Sequence, residues 1–302
     1  MTNNLPRSAQ QNLQRGDDFR NLNQVSEAVA AYELVRDELN DHSTADAKAT
    51  AALAVARIGV SYSQENNREA AMAAFEDAIG RYHAIDSPVG VGQVQCDVGI
   101  LLARSGEYDE ALGWLMRSHS TLCDTDDENR LVATETKIGM VYNAKGEYTE
   151  AREWLEKSLQ RARRLDIGKW FFEMSSLLHT ADLLLSQQQW DAAITSLWAA
   201  LGMIYDHGEQ DTHTRRRSEI HGAMSRAFIG KENYTFAAKQ LDRSVALLAD
   251  NSDEATAIVL ADVDACNVLS TLETNMANLE EQTINRIRSL ANEVAKIREQ
   301  KI

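Results

Sequence analysis

The chain has 302 residues, of which 44% are hydrophobic and 25% charged, and its formal net charge is -15. This negative charge opposes direct binding to nucleic acid, which depends on neutralising phosphates with lysine and arginine. The three cysteines are scattered without CxxC spacing, and no run of about 18 apolar residues occurs. We therefore expect a cytoplasmic protein with reduced thiols, without a membrane span and without direct contact to nucleic acid.

Helix-forming residues dominate the sequence, and only two prolines occur. Pro6 belongs to the polar N-terminal tail, and Pro88 follows Ser87 in the pattern of an N-cap with proline at the first helical position. Sustained alternation of apolar and polar residues, which would indicate strands, is not found. The sequence therefore predicts an all-α fold.

Two segments of the chain repeat each other about 40 residues apart. SGEYDEALGWLMRS at 105–118 shares its Gly, Tyr, Glu, Ala, Trp, Leu and final Ser positions with KGEYTEAREWLEKS at 145–158. Weaker copies keep three positions: a small residue in a first helix, an alanine twelve positions later, and a large residue four positions after that. In chain order these are Gly16, Gly59, Gly99, Gly139, Ala181 and Ser225; Ala28, Ala71, Ala111, Ala151, Ala193 and Ala237; and Tyr32, Phe75, Leu115, Leu155, Leu197 and Leu241. A repeat of 20–50 residues is typical of solenoids.

This pattern resembles the tetratricopeptide repeat over roughly residues 9 to 250. The period here is about 40 to 44 residues rather than about 34, and the proline that usually ends the second helix is missing. In both respects the chain resembles the extended repeats of kinesin light chains and Rap-type regulators. The resemblance implies a right-handed α-solenoid of about six helix pairs over residues 1–250. The units are expected near 9–40, 46–84, 89–123, 127–165, 169–207 and 212–249.

The repeat pattern is lost after Asp250, and residues 251–302 are predicted to form C-terminal capping helices. In the last of these, Ile287, Leu290, Val294 and Ile297 follow steps of three and four residues. Such a stripe fits a helix that covers the end of the array. A short seam for self-association, giving a homodimer through this helix, is the alternative.

No catalytic or metal-binding motif is found in the sequence. The seven histidines do not form HExxH or a similar spacing; His213 and His221 are eight residues apart. Walker, GxGxxG and GxSxG patterns do not occur. We therefore expect no enzymatic activity, no cofactor and no metal.

The resemblance implies that the first helix of each pair lines a groove. Carried onto this sequence, the inward positions give the candidate groove residues Asp17, Arg20, Arg57, Gln64, Asp97, Arg104, Lys137, Met140, Asn143, His179, Asp182 and Arg226. The lysine–asparagine clamp with which some family members grip a terminal carboxylate is missing. Such a mixed-charge surface suits an extended peptide or a partner helix, whereas ordinary solvated helix faces are the alternative.

Two further clusters are secondary candidates. Trp170, Phe171 and Phe172 do not repeat, so they either form an exposed contact site or are buried between units. Arg215, Arg216 and Arg217 stand near a helix N-terminus, where the helix dipole does not explain them. They are either a contact for an anionic group or a solvated run.

Taken together, the sequence predicts a scaffold or adaptor that binds a protein or peptide partner. A peptide-sensing regulator of the Rap type, without a DNA-binding domain of its own, is the alternative.

Overall fold

A computed structural model describes residues 5–207, 214–249, 263–275 and 281–289. Within these ranges every regular element is a helix, which confirms the all-α prediction. The helices in chain order are α1 (Arg7–Asn21), α2 (Val25–Leu39), α3 (Ala45–Gln64), α4 (Arg68–His83), α5 (Pro88–Arg104), α6 (Tyr108–Cys123), α7 (Glu128–Lys145), α8 (Tyr148–Ala162), α9 (Lys169–Ser186), α10 (Trp190–His207), α11 (Thr214–Gly230), α12 (Tyr234–Ala249) and α13 (Val263–Thr274). Residues 281–289 are also helical.

The chain divides into two compact units, Met1–Glu147 (unit 1) and Tyr148–Ile302 (unit 2). In unit 1 each odd-numbered helix from α1 to α5 packs against the next, and each pair packs on the following one through α2–α3, α4–α5 and α6–α7. In unit 2 the pairs are α9–α10 and α11–α12. Stacked helix pairs of this kind define the predicted α-solenoid class. The predicted boundary at residue 250 lies outside the described residues.

The paired helices approach closely where the first helix carries glycine. A Cβ atom added to Gly16, Gly59 or Gly99 would lie 2.5, 2.6 and 2.6 Å from the side chains of Tyr32, Phe75 and Leu115, respectively. Each large side chain comes from the second helix of the same pair and is fully buried. The small and the large repeat positions are therefore two halves of one contact.

The turn inside each pair uses one residue with positive φ. Gly106 and Gly146 have φ of 78° and 86°, as expected for glycine after a helix C-terminus. In the fifth pair the sequence has Gln188 instead, which makes a tight turn less expected there. Gln188 nevertheless has φ of 57°, so the turn is kept although a side chain is present. The packing of α9 on α10 holds this residue in a conformation that it rarely adopts alone.

At the C-terminal end of unit 2, the helix of residues 281–289 packs against α12 and α13. Ile287 is fully buried in a core cluster that includes Leu241 of α12 and Leu269 of α13. Leu290, Val294 and Ile297 lie outside the described residues. The homodimer through this helix therefore remains a prediction.

A pair of alanine substitutions tests the glycine contact. In Gly99→Ala the new Cβ would meet Leu115 and the Ala111 carbonyl oxygen, the latter at 3.1 Å, so we expect a loss of about 1–3 kcal/mol in the free energy of unfolding. Gly113 lies on α6 with open space around it, so Gly113→Ala should gain about 0.5–1 kcal/mol through helix propensity. Urea unfolding of both variants measures the contrast, and equal effects would contradict the contact.

Candidate partner-binding site

The first helices of unit 1 are neighbours in space and form one face, here called the first-helix face. α3 contacts α5 and α5 contacts α7, and an ion pair between Asp17 and Arg57 joins α1 to α3. The nine candidate groove residues of unit 1 all belong to these four helices. Six are half-buried and three are exposed. The half-buried ones are Asp17, Arg20, Arg57, Asp97, Lys137 and Asn143, and the exposed ones are Gln64, Arg104 and Met140.

Asp17 is the centre of the polar contacts between α1 and α3. Its carboxylate accepts a hydrogen bond from Arg57, lies 3.5 Å from Arg20, and accepts a 2.7 Å hydrogen bond from the Tyr32 hydroxyl. Burial, together with the hydrogen bond to Asp17, raises the pKa of Tyr32 well above its usual range. Asp17 is thus held by three donors and does not stand free for a partner.

Asp97 of α5 and Lys137 of α7 act on each other electrostatically across the corresponding boundary between repeats. Burial raises the pKa of Asp97, although the Lys137 ammonium, the Gln93 amide and the guanidinium groups of Arg20 and Arg130 oppose the shift. Gln93 donates a 3.1 Å hydrogen bond to this carboxylate. The negative charge of Asp97 is therefore compensated from several directions.

Lys137 takes part in the same interaction from the other side. Its ammonium group lies 3.2 Å from the Cys96 sulfur. Burial works against the charged form of Lys137, but Cys96 and Asp97 outweigh it, so the pKa of Lys137 is raised. Lys137 is therefore engaged within this face and is not a free contact for a partner.

The charges of this face alternate along the chain at a fixed distance. Asp17, Arg57, Asp97 and Lys137 follow each other every 40 residues, one on each of the four first helices. An ion pair joins Asp17 to Arg57, and Lys137 acts electrostatically on Asp97. Such pairing holds the helices in register and leaves the exposed residues and any excess charge for recognition.

Two residues near the end of α7, Met140 and Asn143, take no part in these charge interactions. Met140 is 36% exposed although it is apolar. The Asn143 side-chain oxygen Oδ1 is buried without a hydrogen-bond partner. A buried carbonyl oxygen without a donor carries a desolvation cost.

The candidate residues of unit 2 also pair across repeats. Arg226 of α11 lies 3.3 Å from Asp182 of α9, and His179 lies 3.5 Å from the same carboxylate. The three residues are half-buried, so here too the predicted positions come together in one contact.

The aromatic secondary candidates are partly buried in unit 2. Trp170, Phe171 and Phe172 are half-buried, and Phe171 packs against a core cluster of α9, α10 and α11. Trp170 stacks on His207 with 6.0 Å between the ring centroids. The burial alternative therefore describes this cluster better.

The arginine run finds partners within unit 2. Arg215 and Arg216 both pair with Glu219, at 3.2 and 2.8 Å, and Arg217 covers the ring of Tyr205. Among these arginines Arg215 is the one with an exposed side chain. The run is thus mostly engaged with its own helix and α10.

Two family models match the chain, and both are described as tetratricopeptide repeat. They cover residues 130–203 and 52–82, and the structure shows helix pairs at both places. The chain contains tetratricopeptide repeats. The family predicted from the sequence is confirmed, whereas no curated protein matches the chain.

Solved tetratricopeptide structures share the fold at low sequence identity. RapI in its apo form has a TM-score of 0.65 and 15% identity, covering 97% of this chain and 99% of RapI. BtubC (BKLC) from P. vanneervenii has a TM-score of 0.63 and 14% identity, covering 76% of this chain and 92% of that one. Aspartyl phosphate phosphatase F from Bacillus subtilis has a TM-score of 0.57 and 11% identity, covering all of this chain and 77% of its own. At such identities the similarity shows the fold alone.

Four residues that interact with the candidates of the first-helix face were not themselves predicted from the sequence. Gln93 could have been found, since it precedes Asp97 by four positions on one helix. Arg130 and Cys96 gave no such signal. Tyr32 occupies the large core position of the first repeat, and only its hydroxyl group reaches Asp17.

Within the described residues, no group of three or more His, Cys, Asp or Glu side chains is placed to hold a metal ion. His213 lies outside the described residues, while His221 is buried in unit 2 with its Nδ1 atom 2.8 Å from the Gln240 side-chain oxygen. None of the described helices is long and apolar enough to cross a membrane.

The electrostatic interaction of Asp97 with Lys137 predicts a pH-dependent cost of removing the lysine. Lys137→Met leaves the Asp97 carboxylate without its main cation, so we expect a loss of about 1–3 kcal/mol in the free energy of unfolding at pH 7. Because the pKa of Asp97 is already raised in the fold, the cost should shrink from pH 7 to a more acidic pH, as the carboxyl takes up a proton. Urea unfolding at both pH values measures this, with Asp97→Asn added to Lys137→Met as the rescue. A cost that persists in this double variant would contradict the explanation.

His221 predicts an acid sensitivity of unit 2. Burial lowers the pKa of His221, and the cations Arg243 and Arg217 lower it further, while Gln240 opposes the shift. The unfolded chain therefore takes up a proton below about pH 6.5 before the folded chain does, and stability is lost as the pH falls through this range. We expect His221→Gln to lose less stability than the wild type between pH 8 and 5. Parallel losses in thermal melts would contradict this.

Proposed function

We propose that this protein is a non-enzymatic interaction scaffold that binds a peptide segment or a partner helix along the groove formed by its first helices. The observation that carries the proposal is the first-helix face of unit 1, where polar residues from four successive repeats lie together. Most of them hold each other, whereas Gln64, Arg104 and Met140 remain exposed on the same helices. Such a surface offers separate contacts to a ligand that runs across the repeats.

The family supports the same general role. Tetratricopeptide-repeat proteins are generally interaction scaffolds, and stacked repeats present extended binding surfaces. We therefore propose a protein or peptide partner and, in view of the net charge of -15, no direct binding to nucleic acid.

A peptide-sensing regulator of the Rap type is the second candidate. It is favoured by the similarity to RapI, which extends over 97% of this chain and 99% of that one. In this case binding of a short peptide would change how the protein engages a second protein. The two candidates share the groove and differ in what binding does.

A matched pair of double variants tests the proposed groove. Arg104→Glu with Met140→Asp changes two exposed residues of the first helices α5 and α7. Arg117→Glu with Leu34→Asp makes the same chemical changes at exposed residues of the second helices α6 and α2. Proteins retained from a lysate of the source cells by the wild type, and quantified by mass spectrometry, should fall at least about tenfold with the first variant, in line with loss of a contact hot spot. They should persist with the second.

The Lys137 side chain is avoided in this test because its loss would leave Asp97 uncompensated and weaken the fold. Circular dichroism melts confirm that both variants keep their helices. Equal retention by the wild type and both variants would remove the first-helix groove of unit 1 from consideration. Loss with the second-helix variant alone would move the binding surface to the opposite face.

A further inference from the structure

We propose that Cys123 is a site of reversible oxidation, whose thiol reacts with hydrogen peroxide or another small neutral hydroperoxide to give a sulfenic acid. The site consists of Cys123, His119 and Glu135, here called the Cys123 triad. Cys123 and His119 lie on the second helix α6, and Glu135 lies on α7. The proposal does not depend on the first-helix groove, because the reacting side chains belong to a second helix.

The three side chains of the triad form a line of contacts that runs from solvent into the protein. Cys123 is exposed, His119 is half-buried, and the Glu135 side chain is fully buried. The Cys123 sulfur lies 3.6 Å from His119 Nδ1 and 3.7 Å from Nε2, and Nε2 lies 3.2 Å from Glu135 Oε1. Residues four apart on a helix are neighbours, so α6 itself holds the thiol beside the imidazole.

The contact with Glu135 decides which nitrogen of His119 can take a proton from the thiol. As a carboxylate, Glu135 can only accept a hydrogen bond, and this assigns the N–H to Nε2. Nδ1 is then the nitrogen that accepts the Cys123 proton. The transfer gives an imidazolium between a carboxylate and a thiolate. A base that is oriented by a third group in this way activates nucleophiles, and the thiolate is the reactive form of cysteine.

The surroundings of Cys123 make the thiolate dependent on His119. Cys123 is the last residue of α6, and the negative end of a helix dipole favours a cation and opposes an anion. Asp124 and Asp126 follow directly and act in the same sense. The imidazolium is therefore favoured by the helix end as well as by Glu135, whereas the thiolate is favoured by the imidazolium alone. This acidic segment repels anionic reagents but not a neutral hydroperoxide.

The oxidation uses one hydroperoxide molecule. The Cys123 thiolate attacks a peroxide oxygen, an S–O bond forms, the O–O bond breaks, and the leaving hydroxide takes the proton from His119 Nδ1 as water. The sulfur loses two electrons and the peroxide gains them, so a thiol and hydrogen peroxide give a sulfenic acid and water. A low-molecular-weight thiol then displaces the hydroxyl group as water and forms a mixed disulfide. A second such thiol releases Cys123 and leaves as the disulfide.

The first test measures how fast Cys123 is alkylated in the folded full-length chain and in the chain unfolded by urea. Iodoacetamide is added in short pulses at pH 7, and peptide mass spectrometry follows each cysteine separately. An ordinary cysteine thiol is only about 3% ionised at this pH. A thiolate supported by His119 should therefore react about tenfold faster in the folded chain, although a stabilised thiolate is a weaker nucleophile. Cys96 is buried and should react more slowly on folding.

Three variants identify the source of the reactivity. His119→Gln keeps a polar side chain beside Glu135 but cannot take the thiol proton, so the folded-state rate should fall at least about fivefold. Glu135→Gln keeps the shape of the positioning residue but removes its charge, and it should lower the rate about threefold. His83→Gln is the matched control, since it removes an exposed histidine from the last turn of α4, and it should leave the rate unchanged.

Loss of structure is told apart from loss of activation by Cys96. A loosened fold would speed up the alkylation of Cys96, whereas a missing base slows that of Cys123. Each folded-state rate is divided by the rate of the same variant in urea, and thermal melts establish that the variants are folded.

The second test uses hydrogen peroxide itself. The folded chain is treated with peroxide and then with dimedone, which traps sulfenic acids. We expect the dimedone adduct at Cys123 in the wild type and in His83→Gln, and at least about a fivefold lower yield in His119→Gln. A low-molecular-weight thiol added between peroxide and dimedone should abolish the adduct.

Three results would overturn the proposal. Alkylation of Cys123 that is no faster in the folded chain than in urea would show that the triad does not activate the thiol. Equal rates in His119→Gln and His83→Gln would remove the role of His119. Fast alkylation without a dimedone adduct would show a nucleophilic thiol that hydroperoxides do not oxidise. None of these results bears on the first-helix groove, which is tested with other residues.

Discussion

The architecture depends on the close approach of two helices at positions where the first helix lacks a side chain. At Gly16, Gly59 and Gly99 the ring or branched end of a buried residue from the second helix occupies the space that a Cβ atom would fill. This contact fixes the distance and the register of each pair. Because a pair cannot cover its own remaining apolar surface, the next pair packs on it, and the array follows.

The same register places charges next to each other. A period of 40 residues from Asp17 through Arg57 and Asp97 to Lys137 returns each side chain to the equivalent face of the next first helix. The sign alternates, so neighbouring repeats attract each other where like charges would repel. In unit 2, Asp182 and Arg226 are 44 residues apart and still pair. The repeat is longer there, so the whole first helix begins later in the sequence and its equivalent position moves by the same number of residues.

This explains which parts of the molecule were predictable from sequence. The fold depends on the spacing of the small, alanine and large positions within each repeat. The glycine and alanine positions therefore predicted the fold without any knowledge of distant contacts. The candidate groove residues were placed on the correct helices by the same spacing. Whether their side chains are already paired within the protein was not predictable. The pairing of Asp17 with Tyr32 and of Lys137 with Cys96 depends on how far a side chain extends from one helix to the next. Gln188 shows the reverse case, since packing imposes a turn that its own sequence does not favour.

A face whose charges hold each other changes what recognition requires. A ligand that bound Arg57 or Lys137 as free cations would have to break contacts that keep the repeats in register, and its binding energy would be spent on that loss. A ligand that instead contacts the exposed Gln64, Arg104 and Met140 breaks none of these contacts. The register of the repeats and the recognition of a ligand would then be compatible, because the paired charges serve the first and the exposed residues serve the second.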